Sequence, residues 1–141
     1  MIAANRLQTA FDKNDPILTL KQFMALAFIR QSPEPLSLTQ LGRLLGCSRQ
    51  NAKKLAEPLV RQGLAALVRD PGDPRVCRVL ARPALEQYFD GAAPLHSRML
   101  GLLFSEYSDE EMAQLLSLMT KLHQGVARVE RATSEQEEHH A

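Results

Sequence analysis

Residues 36–63, "LSLTQLGRLLGCSRQNAKKLAEPLVRQG", constrain the fold of this chain more than any other stretch. Ser37 followed three residues later by Gln40 is a capping-box pattern, in which a hydroxyl and an amide side chain each satisfy a backbone N–H at a helix start. It predicts a short helix over 38–45 with Leu38, Leu41, Leu44 and Leu45 on its buried face. Gly46 ends that helix, because glycine tolerates the left-handed conformation that often follows a helix. Ser48 caps a second helix over 49–62, which stops at Gly63. Two short helices joined by so tight a turn form a helix-turn-helix.

The flanking segments extend the pattern. Residues 2–12 predict a short helix with Ile2, Leu7 and Phe11 apolar, broken by "KNDP", since the residue before a proline avoids the helical region. Thr19 can cap a helix over 20–31, its oxygen meeting free N–H groups near Gln22. Leu20, Phe23, Met24, Ala27 and Phe28 give that helix a core stripe, and "SPEP" is a loop. After Gly63, "LAALVRD" and "RVCRVLA" predict two strands around the turn cluster "PGDP". Alternation puts Val76 and Arg78 on one face of the second strand and Cys77 and Val79 on the other. A helix-turn-helix followed by a basic hairpin is its winged form. Residues 84–106 read as a longer helix, interrupted or kinked near "DGAAP". Ser108 and Glu111 form a second capping-box pattern, opening a final helix with Met112, Leu115, Leu116, Met119, Leu122, Val126 and Val129 at steps of three and four. The expected fold class is mainly α with a small β-hairpin wing: a winged helix-turn-helix over 17–82, dimerised through helical regions at 1–16 and 83–130, with a flexible tail over 131–141.

Charge is distributed unevenly. The chain as a whole carries a net charge of only +1, which argues neither for nor against nucleic acid. Residues 30–82, however, hold ten Arg and Lys against four acids, a net of +6, and the remainder of the chain is net −5. A basic middle between acidic flanks points to a polyanion as partner.

Other classes of function find little support. Cys47 and Cys77 show no ligand or disulfide-framework spacing and read as small apolar residues. His96, His123, His139 and His140 make no close metal motif, and the terminal pair reads as solvated. Nothing places a nucleophile with a base, or two carboxylates in an apolar setting, so neither an enzyme nor a cofactor is expected. The N-terminus lacks the apolar run of a signal peptide, and no stretch reaches the ~20 apolar residues that span a bilayer. A reducing cytoplasmic location, without membrane association, is the simplest expectation.

The segment "SRQNAKK" admits two readings: a solvated helix face, or an edge that reads DNA. Its place at the start of the second helix of a helix-turn-helix favours the latter, because such a helix fits the major groove with its N-terminal residues at base edges. The candidate DNA contacts are Ser37, Thr39, Ser48, Arg49, Gln50, Asn51, Lys53, Lys54, Arg69, Arg75 and Arg78. Arg49, Gln50 and Asn51 are of the types that pair with guanine and adenine, whereas Lys53 and Lys54 suit phosphates. Alternation along the strand can turn Arg78 away from DNA. Pro58 lacks an N–H for the Lys54 carbonyl and costs about 3 kcal/mol in a regular helix, so a kink is expected there. It lies beyond the reading edge.

Four stretches together resemble the MarR (multiple antibiotic resistance regulator) family of winged-helix transcription regulators: "LTLKQFMAL", "LSLTQLGRLLGCSRQNAKKLAEPLVRQGL", "VRDPGDPRVCRVLA" with Asp73 and Arg75, and "YSDEEMAQLLSLMTKLHQGV". The resemblance covers roughly residues 17–126. The sequence departs from the family pattern after the second wing strand, where "LARPALEQYF" lacks the usual Leu-Thr-x-x-Gly. The resemblance implies that Arg75 reaches the minor groove with help from Asp73. It also implies repression at an operator, and a small-molecule inducer bound between the dimer helices and the DNA-binding lobe. The peroxide-sensing branch keeps its reactive cysteine near the N-terminus, and no cysteine precedes residue 47. The apolar stripe of the last helix exceeds what one subunit can cover, so a homodimer is expected, with two reading helices about 34 Å apart on a pseudo-palindromic double-stranded DNA site. The competing expectation is a winged-helix dimer that serves as a protein-interaction module without sequence-specific DNA binding.

Overall fold

The structure, a computed structural model, describes residues 2–139. In chain order the elements are α1 (Ile2–Asn14), α2 (Leu20–Gln31), β1 (Leu36–Ser37), α3 (Leu38–Leu45), α4 (Arg49–Arg61), β2 (Ala65–Arg69), β3 (Cys77–Ala81), α5 (Ala84–Leu103) and α6 (Asp109–His139). The chain forms two compact units, residues 1–97 and 98–141, with the division inside α5.

The first unit is organised around one apolar core. Leu26 of α2, Leu41 of α3, Leu59 of α4, Val79 of β3 and Leu85 of α5 are fully buried in it. Each such side chain contributes about 1.5–3 kcal/mol by leaving water. Ala52, Ala56 and Leu59, at i, i+4 and i+7, form the inward face of α4, which leaves the opposite face to solvent. The helix starts follow the capping chemistry. Thr19 accepts from the Gln22 amide (3.3 Å) while its own N–H donates to the Gln22 side chain (3.0 Å), which makes the Thr19 cap a full capping box. Ser37 and Gln40 form the second box, at 3.1 and 2.8 Å.

Three expectations need correction. The inward face of α2 is Ala25, Leu26 and Ile29; Met24 is exposed, and Phe23 and Phe28 are half-buried. This helix is apolar around most of its circumference, so periodicity could not choose a face, and the tertiary neighbours did. Leu44 is also exposed, because α3 is covered along Leu38, Leu41 and Gly42, with Leu45 half-buried against the core. Finally, the hairpin is part of a three-stranded antiparallel sheet of order β1-β3-β2. Leu36 pairs with Val79 and Ser37 with Arg78, while β2 and β3 run in register from Ala65↔Ala81 to Arg69↔Cys77. A two-residue strand is too short to carry a periodic signal.

Pro58 and Pro94 each lie inside a single helix. α4 continues past Pro58, whose carbonyl accepts from Gln62 N–H at 3.0 Å, and α5 runs through Gly91 and Pro94 without interruption.

One buried charge ties the helices of this unit together. Asp15, between α1 and α2, accepts from the amides of Ile17 (2.8 Å) and Leu18 (3.0 Å), from the Tyr88 hydroxyl (2.7 Å), and lies 3.2 Å from His96 Nε2 on α5. Burial works against the charge on Asp15, but the Leu18 amide, Tyr88, the Ile17 amide and His96 together hold its carboxyl below the ordinary value. Phe11 and Phe23 pack around the His96 ring at 5.2 and 4.6 Å between centroids.

In the second unit, Ser108 and Glu111 close the expected capping box, at 2.9 and 3.2 Å, and start α6. Met112 and Leu115 are half-buried, whereas Leu116, Met119, Leu122, Val126 and Val129 are exposed. The helix continues past the end of this stripe to His139. The side chains of His139 and His140, and the last residues of the tail, lie outside the described residues. No helix among the described residues is long and apolar enough to cross a membrane.

Candidate nucleic-acid interface

The site begins with the turn between α3 and α4. Gly46 adopts φ 66°, in the left-handed region that favours glycine, and its N–H returns to the Arg43 and Gly42 carbonyls. Gly42, buried in α3, lets the turn come close: a Cβ there would lie 2.7 Å from the Cys47 carbonyl oxygen. Ser48 then caps α4, its hydroxyl accepting from the Asn51 amide at 3.1 Å.

With Ala52, Ala56 and Leu59 turned inward, the outer face of α4 carries Arg49, Gln50, Asn51, Lys53 and Lys54, all exposed. Arg49 and Lys53, and Gln50 and Lys54, are separated by one helical turn and lie side by side. Glu57 is 4.0 Å from Lys53, a pair of small energetic weight at the surface. Thr39 is exposed on the first turn of α3 and Ser37 is half-buried, its hydroxyl engaged with Gln40 N–H.

The wing completes the site. A cleft of about 260 Å³ is lined by Arg49 and Lys53 from α4, Leu67, Val68 and Arg69 from β2, Cys77 from β3, and Leu38. It brings cationic groups of the reading helix and of the wing to one concavity with an apolar floor. Arg69 also donates to the Pro74 carbonyl across the hairpin, at 3.0 Å. Arg75 stands at the wing tip with its side chain 91% exposed, braced by Asp73: its backbone N–H and its Nε both donate to Asp73 Oδ1, at 3.0 and 3.2 Å.

Arg78 is placed differently from the other candidates. Its side chain is only 33% exposed. Its Nε donates to Asp70 Oδ2 and its Nη1 to the Pro35 carbonyl, at 2.9 Å. Asp70 uses its other oxygen to accept the amides of Gly72 (2.8 Å) and Asp73 (3.1 Å). The Arg78 guanidinium, followed by the Gly72 amide, holds the Asp70 carboxyl below the ordinary value. Sequence reasoning passed over Asp70 and Pro35. The available signal for the first was Asp-Pro-Gly, since an aspartate opening a turn accepts amides two and three residues on.

Cys47 and Cys77 are free thiols, half-buried against the core. Among the described residues no group of three or more His, Cys, Asp or Glu side chains is placed to hold a metal ion.

Residues 18–75 match a family model described as the MarR family. The fold is shared with solved structures. A probable transcriptional regulator from Pseudomonas aeruginosa is 25% identical, with a TM-score of 0.76 over 86% of this chain and 91% of that one. Sco3205, a MarR family transcriptional regulator from Streptomyces coelicolor solved in complex with DNA, is 19% identical, with a TM-score of 0.80 over 89% of this chain and 84% of that one. The transcriptional regulator PcaV, also from Streptomyces coelicolor and solved with its natural ligand, is 22% identical, with a TM-score of 0.74 over 88% and 91%. No curated protein matches the chain by sequence.

Proposed function

We propose that this chain, whose residues 18–75 match the MarR family model and whose fold is shared with DNA-bound Sco3205, is a transcription regulator that binds a pseudo-palindromic DNA operator as a homodimer and represses from it. The observation that carries this reading is the convergence of Arg49 and Lys53 with Arg69 on one cleft between α4 and the wing. On this reading the N-terminal half of α4 enters the major groove, with Arg49, Gln50 and Asn51 at base edges. Lys53, Lys54, Ser37, Thr39, Ser48 and Arg69 serve the phosphates, and Arg75 reaches the adjacent minor groove, where negative potential concentrates. The Ser37 and Ser48 hydroxyls are already acceptors within their caps, which leaves each its O–H to donate to a phosphate oxygen.

The exposed apolar residues of α6 support the homodimer, because a continuous stripe of this kind is covered when a second copy docks on it. A small-molecule inducer fits the reading by analogy with the ligand-bound Streptomyces regulator. Such a ligand works only through different affinities for the DNA-competent and incompetent arrangements.

A gel shift with genomic fragments across a salt series tests the proposal. Several neutralised phosphates predict a log–log slope steeper than about −4, at ~0.9 per contact. Absence of binding at about 50 mM salt, where non-specific attraction is strong, excludes the DNA reading and leaves the protein-interaction module.

A further inference from the structure

We propose that Arg78 is a positioning residue of the wing: with Asp70 and the Pro35 carbonyl it forms a strut that fixes the angle at which Arg75 is presented to DNA. The inference rests on the DNA-binding reading above and assigns Arg78 a role other than direct contact.

The strut lies where it can act. The wing leaves the body of the first unit at the point where β1 ends, and β1 holds β3 by only two residue pairs, the second of them Ser37↔Arg78. Beyond that point the hairpin is two-stranded, and a ribbon of two strands has little rigidity of its own. Arg78 bridges three segments there: its own strand, the turn that begins at Asp70, and the loop between α2 and β1. From Asp70 the connection runs outward. Its second oxygen holds the amides of Gly72 and Asp73, and the Asp73 carboxylate holds the backbone and side chain of Arg75. A continuous chain of polar contacts thus joins the loop before β1 to the wing tip.

The chemistry suits an arginine. Its planar fork can point one N–H at a carboxylate and another at a carbonyl in a fixed relation, which a lysine ammonium cannot reproduce. The contrast with Arg75 is direct: one guanidinium is 91% exposed and the other 33% exposed, with Asp70 itself 17% exposed. A cation already neutralised by a carboxylate releases few counterions on binding DNA. Its removal therefore alters affinity through geometry rather than through charge.

Operator binding across a salt series by wild type, Arg78→Gln, Arg78→Lys, Asp70→Asn and the Arg78→Gln/Asp70→Asn pair tests the assignment. A strut predicts that each single change weakens binding by about tenfold with the salt slope unchanged, and that the pair is no worse than the weaker single, as for residues acting as one unit. Arg78→Lys should behave like Arg78→Gln, and Arg75→Ala should cost less in the Arg78→Gln background than in wild type. Direct contact predicts the reverse: a slope reduced by about one in Arg78→Gln, near-full rescue by lysine, and tighter binding by Asp70→Asn. That pattern overturns the proposal. Amide exchange at Gly72, Asp73 and Val76 supplies a readout without DNA. The strut predicts faster exchange in Arg78→Gln, and unchanged protection overturns it. If wild type binds no DNA, the parent reading fails, a result distinct from every pattern among the variants.

Discussion

Asp15 is the one buried charged side chain among the described residues, and what surrounds it decides what it does for stability. Replacing it with alanine orphans the Leu18 amide and the Tyr88 hydroxyl, at about 1–3 kcal/mol per buried donor, so Asp15→Ala should lose about 2–6 kcal/mol in urea unfolding at neutral pH. Its folded-state pKa lies below the ordinary 3.8, so its contribution is complete above that value and is lost as pH falls through the folded-state pKa. The gap between wild type and Asp15→Ala should therefore narrow below about pH 4, and a gap that widens there would contradict the assignment. Arg75 makes the opposite case. Among the described residues its one partner is Asp73 at the surface, so Arg75→Ala should leave the melting temperature nearly unchanged. It should weaken operator binding by about 1–3 kcal/mol, and unaltered affinity would remove the wing from the interface.

At the scale of elements, the α3–α4 turn sets where the reading face sits. By propensity alone Gly42→Ala should strengthen α3 by up to ~1 kcal/mol. The structure reverses that expectation, because the new Cβ would meet the Cys47 carbonyl oxygen at 2.7 Å and the turn would have to open. A net loss of about 1–3 kcal/mol is expected by thermal melting, as in other overpacked sites, together with weaker DNA binding as α4 shifts. Helix boundaries and caps were legible in the sequence because each depends on a few adjacent residues: Ser37 with Gln40, Gly46, Ser48, and Ser108 with Glu111. The buried face of α2 was not, since Met24 and Leu26 are equally apolar and only the packing of α3, α4 and β3 tells them apart.

For the whole molecule, the basic middle and the exposed stripe of α6 act together on the proposed reading. The dimer brings two sets of Arg49, Lys53 and Arg69 to one duplex, and doubling the contacts steepens the salt dependence. Sedimentation at micromolar concentration should give twice 15.7 kDa, and a 15.7 kDa species would refute the dimer. Leu122→Glu, in the middle of the stripe, should dissociate it and flatten the salt slope of DNA binding, since a charge on an apolar interface is left without a partner.

The sequence by itself determined the order of the helices and of the two wing strands, the helix caps, the helix-turn-helix with its wing, and the family resemblance. These rest on local hydrogen bonds and on periodicities that span a few residues. Tertiary structure decided which side of α2 and α3 is covered, the pairing of Leu36 and Ser37 with β3, the burial of Asp15 against Tyr88 and His96, and the engagement of Arg78 by Asp70 and Pro35. Each of these joins residues 8 to 81 positions apart, or ranks faces of equal hydrophobicity. Such choices follow from which surfaces meet in space, and no pattern along the chain records that.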